Sequence, residues 1–350
     1  MIVFVPIEIV MSKKLRLTQP LPAFLVAVAI GLFGCRNLGS IANTSSTATV
    51  TSAELNNNLP KVVATTSILC NLTKQIAQQT INLTCLIPPN ANPQLYQPKP
   101  EDRRAIEQAT LILYNGYNLE PGLLKLIRAS KNSRSKIAVA QNAVPKPLQF
   151  RRNGKTLPDP YIWHNSKNGI RMVEVISSNL GKAIPENASL YSNNAQKVKN
   201  ELTKLDSWIK SRIASIPANQ RELVTNQDVM GYYAKAYDLS YAPALKGISA
   251  QGKPNTARVK ALARYIKRSR ITTLFADTTN NSNLITSIAQ DTKVKVSERK
   301  LFSDNLDASG SEADTYQKMM VANTRTIVEG LGGTYLIFEP IISKSPTQGR

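Results

Sequence analysis

The chain of 350 residues holds one histidine, His164, and three cysteines. A single imidazole rules out the paired-histidine zinc site of hydrolytic metalloenzymes. A Ser-His-Asp triad would have to use His164, beside which no positioned nucleophile stands. Also absent are a Gly-Lys-Ser/Thr phosphate loop and a dinucleotide glycine fingerprint at the first expected strand. An enzyme is not expected. Acidic residues are few as well, 23 Asp and Glu against 44 Lys and Arg, for a formal charge of +21. The cations are scattered, as in Arg103-Arg104, Arg151-Arg152 and Lys267-Arg268-Arg270, without interleaved aromatics, which make up only 6% of the chain. That distribution describes a solvated basic surface and no nucleic-acid interface, although in an envelope protein it favours anionic lipid head groups or an acidic partner.

Long apolar runs are lacking too. The stretch from Leu21 to Phe33 falls short of the roughly 20 residues that span a bilayer. It follows a basic head, Lys13, Lys14 and Arg16, and precedes Gly34-Cys35. This is the layout of a bacterial lipoprotein signal over residues 1–35, in which Cys35 becomes the lipidated first residue. Phe33 is bulkier than that motif usually allows, and an uncleaved anchor or an ordinary signal peptide is the alternative. Met11 is the expected start, because residues 1–10 only add an apolar stretch ahead of the charged head. In each case the mature protein is extracytoplasmic, and an oxidising compartment makes a Cys70–Cys85 disulfide the expectation, with two buried thiols as the alternative.

What is present is a regular alternation, and the 42% hydrophobic content supports real cores. Residues 36–59 are rich in Ser, Thr and Asn and read as a flexible tether. Strands are expected at 61–66, 81–87, 111–114 and 136–140, with helices at 69–78, 101–109 and 121–129 between them. A second series runs strand 222–225, helix 229–237, a short strand near Tyr241, helix 255–268, strand 272–275, helix 283–291, strand 293–296, helix 313–331 and strand 334–338. Such alternation implies parallel sheets covered by helices. Between the series, Tyr191, Ala195, Val198, Leu202, Leu205 and Ile209 mark one long helix over 187–215. The expected architecture is therefore α/β with two lobes, 60–186 and 216–340, joined by that stiff helix and followed by a tail, 341–350. A single stiff helix is a poor hinge, so large domain closure is not expected.

Ligands of open parallel sheets bind beyond the carboxyl ends of the strands. Four loops lie there: Pro93-Gln94-Leu95-Tyr96-Gln97-Pro98-Lys99-Pro100, Asp159-Pro160-Tyr161-Ile162-Trp163, Val224-Thr225-Asn226-Gln227-Asp228 and Leu301-Phe302-Ser303-Asp304. Two facing lobes would bring them to one cleft. With these segments the chain resembles, over about residues 60 to 340, the metal-binding solute-binding lipoproteins of bacterial zinc and manganese ABC importers, a family that includes adhesin-type lipoproteins. Members usually read Pro-His before a Tyr-x-Pro-x-Pro run, Asp-Pro-His-x-Trp in the second segment, His or Glu just after a Val-Thr strand, and Asp in the last. Shared framework positions include Tyr96, Pro98, Pro100, Asp102, Asp159, Pro160, Trp163, Gly231, Tyr232, Ala234, Met319 and Met320.

The resemblance implies metal positions at Gln94, Tyr161, Gln227 and Asp304, of which only Asp304 keeps the family identity. It also implies a membrane permease and its ATPase as partners, and a monomer. Zinc prefers imidazole, thiolate or carboxylate, and manganese prefers carboxylate with some imidazole. A glutamine amide is a weak neutral donor, and a phenol near pKa 10 rarely ionises at neutral pH. Zinc or manganese affinity is thus expected to be greatly weakened or absent, leaving no certain cofactor beyond a weakly held divalent or ferric ion, the latter on Tyr161 and Asp304 with Asp228. His164, three residues past Tyr161, is expected to face solvent or to be bonded locally; swinging into the cleft is its alternative role. The family's His-rich loop is replaced by the basic stretch 149–154. Two further functions stay open: a non-transporting paralogue used in adhesion or envelope-protein binding, and a binder of a small polar solute or metal chelate.

Overall fold

The computed structural model describes residues 58–152, 155–243, 256–279 and 282–339. The signal segment with Cys35, the tether as far as residue 57, the tail and the side chains of Arg151, Arg152 and Arg258 lie outside them. The described residues all fall within one compact unit, within which two α/β lobes are built on the same plan. Among the described residues no helix is long and apolar enough to cross a membrane.

The N-terminal lobe runs β1 (Lys61–Ala64), α1 (Ser67–Ala77), β2 (Asn82–Cys85), α2 (Pro100–Gln108), β3 (Leu111–Tyr114), α3 (Pro121–Ala129), β4 (Ser135–Ala138) and a short α4 (Val139–Ala143). The four strands form a parallel sheet in the order β2-β1-β3-β4. Alternation within strands sends Val62, Ala64, Leu111 and Leu113 to one face and Val63 and Ile112 to the other. The second face packs on Ile106 of α2 and Leu123 and Ile127 of α3. Pro100 opens α2 where its lost N–H costs nothing, and Asp102 accepts from Lys99 N at 2.8 Å.

A hairpin of β5 (Gln149–Arg152) and β6 (Lys155–Pro158) follows, then a 3₁₀ turn over Ile162–His164, α5 (Ser166–Ala183) and α6 (Ala188–Ala214). The hairpin, α4 and α5 are absent from the sequence expectation. Two glycines, Gly169 and Gly181, flank the apolar stripe of α5, Met172, Val173, Ile176 and Leu180, and weaken the helix signal at its ends. Asn165 caps this helix by accepting from Lys167 N at 2.9 Å. The 27 residues of α6 match the expected linker and extend about 40 Å.

The second lobe comprises β7 (Glu222–Thr225), α7 (Gly231–Ala236), β8 (Ser240–Pro243), α8 (Thr256–Arg268), β9 (Thr273–Leu274), α9 (Asn283–Thr292), β10 (Lys295–Val296) and α10 (Tyr316–Gly330). β7 pairs parallel with β8 and β9 with β10, and a parallel bridge from Thr225 to Phe275 joins the pairs. The order β8-β7-β9-β10 repeats that of the first sheet. The strand expected at 334–338 does not form. This segment lies along α6, where Tyr335 and Phe338 pack on Trp208 and the Trp208 indole donates to Leu336 O at 3.2 Å. Burying aromatic rings on a helix outweighs pairing at a sheet edge.

One continuous apolar core contains Val62 of the first sheet, the α6 stripe from Tyr191 to Ile213, and Leu223, Phe275 and Met319 of the second lobe. A core shared across the linker resists hinge motion, because separating the lobes would expose it. Cys70 in α1 and Cys85 in β2 are joined by the expected disulfide, with Cα atoms 5.7 Å apart.

Candidate functional site

Each loop of the cleft is fixed before any ligand is considered. In the loop after β2, Asn92 Oδ1 accepts from Gln94 N at 2.9 Å, and the Tyr96 hydroxyl donates to Asp102 at 3.0 Å. The loop before α5 is held from beneath. Buried Glu120 accepts from Thr65 Oγ1 at 2.9 Å and from Asn115 N at 2.6 Å, and the Asn115 amide in turn donates to Pro160 O at 3.2 Å. Burial pushes the Glu120 carboxyl up to about 7 in spite of these bonds. Asp159 accepts from Tyr161 N at 2.8 Å, which turns the phenol toward the cleft, and burial together with the charge of Asp228 lifts its pKa to about 8.

The Asp304 loop is clasped by both lobes. Asn323 bonds both the N–H and the carbonyl of Phe302 at 2.8 Å, Ser67 Oγ accepts from Leu306 N at 2.9 Å, and Asn305 donates to Ala91 O. His164 completes the clasp. It is fully buried and its Nε2–H donates to Ser303 O at 2.9 Å, a bond across 139 positions of the chain. This corrects the expectation of a solvent-facing or locally bonded histidine: the packed ring of Trp163, 5.7 Å away, turns the imidazole inward. With Nδ1 left without a partner, burial pushes the His164 pKa down to about 4.

Three of the four expected positions meet. Gln94 Nε2 donates to the Tyr161 hydroxyl at 2.5 Å, and that hydroxyl is hydrogen-bonded to Asp304. Amide, phenol and carboxylate thus form a chain across the cleft, with loops from both lobes. Asp304 also accepts from Thr279 Oγ1 at 2.6 Å and from Asn92 Nδ2 at 3.4 Å. Complete burial raises its carboxyl to about 6, the Thr279 and Tyr161 hydroxyls offset part of the shift, and the nearby charge of Asp277 adds to it. Gln227 stands apart. Its carbonyl accepts from Thr225 Oγ1 and Tyr241, and no described contact joins its side chain to the other three.

Asn92, Asp277 and Thr279 are site residues that the sequence expectation omits. Asp277 and Thr279 follow β9 at its carboxyl end, and that position is the signal that could have found them. The second carboxylate beside Asp304 is Asp277, whereas Asp228 acts on Asp159 and Tyr241. Among the described residues no three His, Cys, Asp or Glu side chains converge as a metal-holding group. A cavity of about 380 Å³ adjoins Gln94 on the side of the β5–β6 hairpin, lined also by Tyr117, Arg128, Phe150 and Pro160.

The profile of the periplasmic zinc-uptake complex component A family, ZnuA, matches residues 62–330. The chain belongs to this family. Among the family's manganese-related members, the manganese ABC transporter substrate-binding lipoprotein PsaA of Streptococcus mitis is 32% identical over 277 residues, 77% of this chain and 89% of PsaA. The metal ABC transporter substrate-binding lipoprotein SsaB of Streptococcus sanguinis is 30% identical over 314 residues, 88% of this chain and 97% of SsaB. In three dimensions the chain is similar to the periplasmic zinc binding protein TroA from Treponema pallidum, with a TM-score of 0.73 and 27% identity over 78% of this chain and 99% of TroA.

Proposed function

We propose that this ZnuA-family chain is the extracytoplasmic, membrane-anchored solute-binding component of a metal-ion ABC importer, and that its metal site is degenerate. Solute-binding proteins of such importers are not enzymes; they deliver cargo to a membrane permease driven by an ATPase. The metal ion is cargo here. One observation carries the degenerate site: Tyr161 stands between Gln94 and Asp304 and offers the buried carboxylate a neutral phenol where the family resemblance implies an imidazole. A cation entering the cleft must break that chain, and it gains the Asp304 carboxylate and two neutral oxygens in return, with the charge of Asp277 nearby. The set suits a hard ion better than zinc, because imidazole and thiolate are wanting. Gln227 belongs to the same proposal as the remaining family position. We further infer a monomer, with lobes divided at 60–186, 187–215 and 216–340.

Adhesion without transport, and capture of a small polar solute or metal chelate, are not favoured, since the matched relatives carry metal-importer names. The test is calorimetry of the mature chain with Zn²⁺ and Mn²⁺, beside Gln94→His/Tyr161→His and Asp304→Ala. Weak or no binding by the native chain is expected, with submicromolar zinc affinity appearing in the double histidine variant. Submicromolar affinity in the native chain, lost on Asp304→Ala, would refute the degenerate site.

A further inference from the structure

Helix α8 has two sides of different character. Ala263 is buried, and Ile266, with half-buried Val259 and Leu262, packs in the cluster of the second lobe that contains Val224, Leu274 and Ile285. On the outer side Lys260, Arg264, Lys267 and Arg268 are all exposed. At the helical repeat these four fall within an arc of about 100° and along about 12 Å of axis. No acidic residue occurs in the helix, and exposed Arg270 follows it directly.

The stripe is little compensated within the fold. Among the described residues its ion pair is Lys267 with Asp291 at 3.8 Å, both more than half exposed, a geometry that contributes almost nothing. Glu222 is bonded by the Tyr265 hydroxyl at the edge of the stripe. Like charges at spacings of three and four residues, as in Lys260 with Arg264, Arg264 with Lys267 and Arg264 with Arg268, oppose helix formation. Folding is therefore opposed by this arrangement, and an external anionic surface would relieve it.

We propose that the outer face of α8 docks on anionic phospholipid head groups of the membrane to which the chain is anchored. The four cations are spread along the helix and do not converge on one point, which suits a fluid array of phosphates. Half-exposed Tyr265 adds the amphipathic ring that settles at a membrane interface. Cys35, the expected point of lipid attachment, lies only about 25 residues before β1, which keeps the lipid surface at high local concentration. Docking would set which flank of the second lobe faces the membrane. The inference rests on the anchored location and is independent of the state of the metal site.

The test uses the full mature chain with Cys35→Ser, sedimented with vesicles of phosphatidylcholine alone or mixed with phosphatidylglycerol. Binding to the anionic vesicles that weakens with salt is expected. Replacing Lys260, Arg264, Lys267 and Arg268 by Gln is expected to weaken it at least about 100-fold, at roughly 5-fold per cation. Gln is a good helix former, so the variant keeps its fold, checked by circular dichroism. The control replaces exposed Arg103, Arg104, Lys125 and Lys131 by Gln and is expected to retain binding nearly intact. Equal loss in the control would reduce the effect to net charge, and binding that ignores phosphatidylglycerol, or no binding at all, would also overturn the proposal. Calorimetric metal titrations of both variants should overlay the parent, which separates this outcome from any failure of the metal-site reading.

Discussion

His164 makes the cleft sensitive to pH in a way that can be measured on the fold itself. The buried imidazole is neutral in the native state, with its pKa pushed down to about 4, whereas an unfolded histidine titrates near 6.5. Below 6.5 the unfolded chain takes up a proton that the folded chain refuses until about 4, so the stabilisation is complete above 6.5 and is lost as the pH falls through that window. Between pH 7 and 5 the loss amounts to about 2 kcal/mol at 1.36 kcal/mol per pKa unit. Glu120, Asp159 and Asp304 act with the opposite sign, because their carboxyls are raised and ionisation at higher pH costs stability. Comparing the native chain with His164→Gln cancels those shared contributions. Urea unfolding followed by tryptophan fluorescence at pH 7 and 5 should show the native chain losing about 2 kcal/mol more than the variant over that interval. Parallel losses in the two proteins would show that His164 is not held neutral by burial, and the account of the clasp would fail.

Two other expectations concern the framework of the cleft. A Cβ on Gly169 would come within 2.4 Å of the Tyr316 hydroxyl, which donates to Trp163 O at 2.6 Å, so Gly169→Ala should destabilise by about 1–3 kcal/mol through overpacking; a thermal melt unchanged from the parent would contradict the close crossing of α5 and α10. Replacing Cys70 and Cys85 together by Ser opens a link between positions 15 apart and should cost about 3 kcal/mol in chemical denaturation. Equal stability of the variant and the oxidised parent would show that the bridge contributes nothing to the fold.

Much of the architecture is legible in local pattern. The stripe from Tyr191 to Ile209 marks α6, and Pro100 with Glu101 and Asp102 marks the start of α2. Parallel strands follow from alternation alone, because helices must cover both sheet faces. The misses have a common cause. In α5 the two glycines weaken the helix signal at its ends, and at 334–338 a strand-like composition is overridden by the packing of Tyr335 and Phe338 on Trp208. Neither effect is contained in a window of neighbouring residues.

The cleft divides along the same line. Residue identity by itself determined that strong metal ligands are scarce: one histidine in the whole chain, and amides and a phenol at three of the four family positions. Donor strength is a property of the side chain, and no fold can turn a glutamine into an imidazole. Only the tertiary structure decided that Tyr161 bridges Gln94 and Asp304, that Asp277 rather than Asp228 shares the field of Asp304, and that His164 is spent on Ser303. Those outcomes depend on which loops meet when the two lobes close over a common core, and on the desolvation that follows, neither of which is encoded by spacing along the chain.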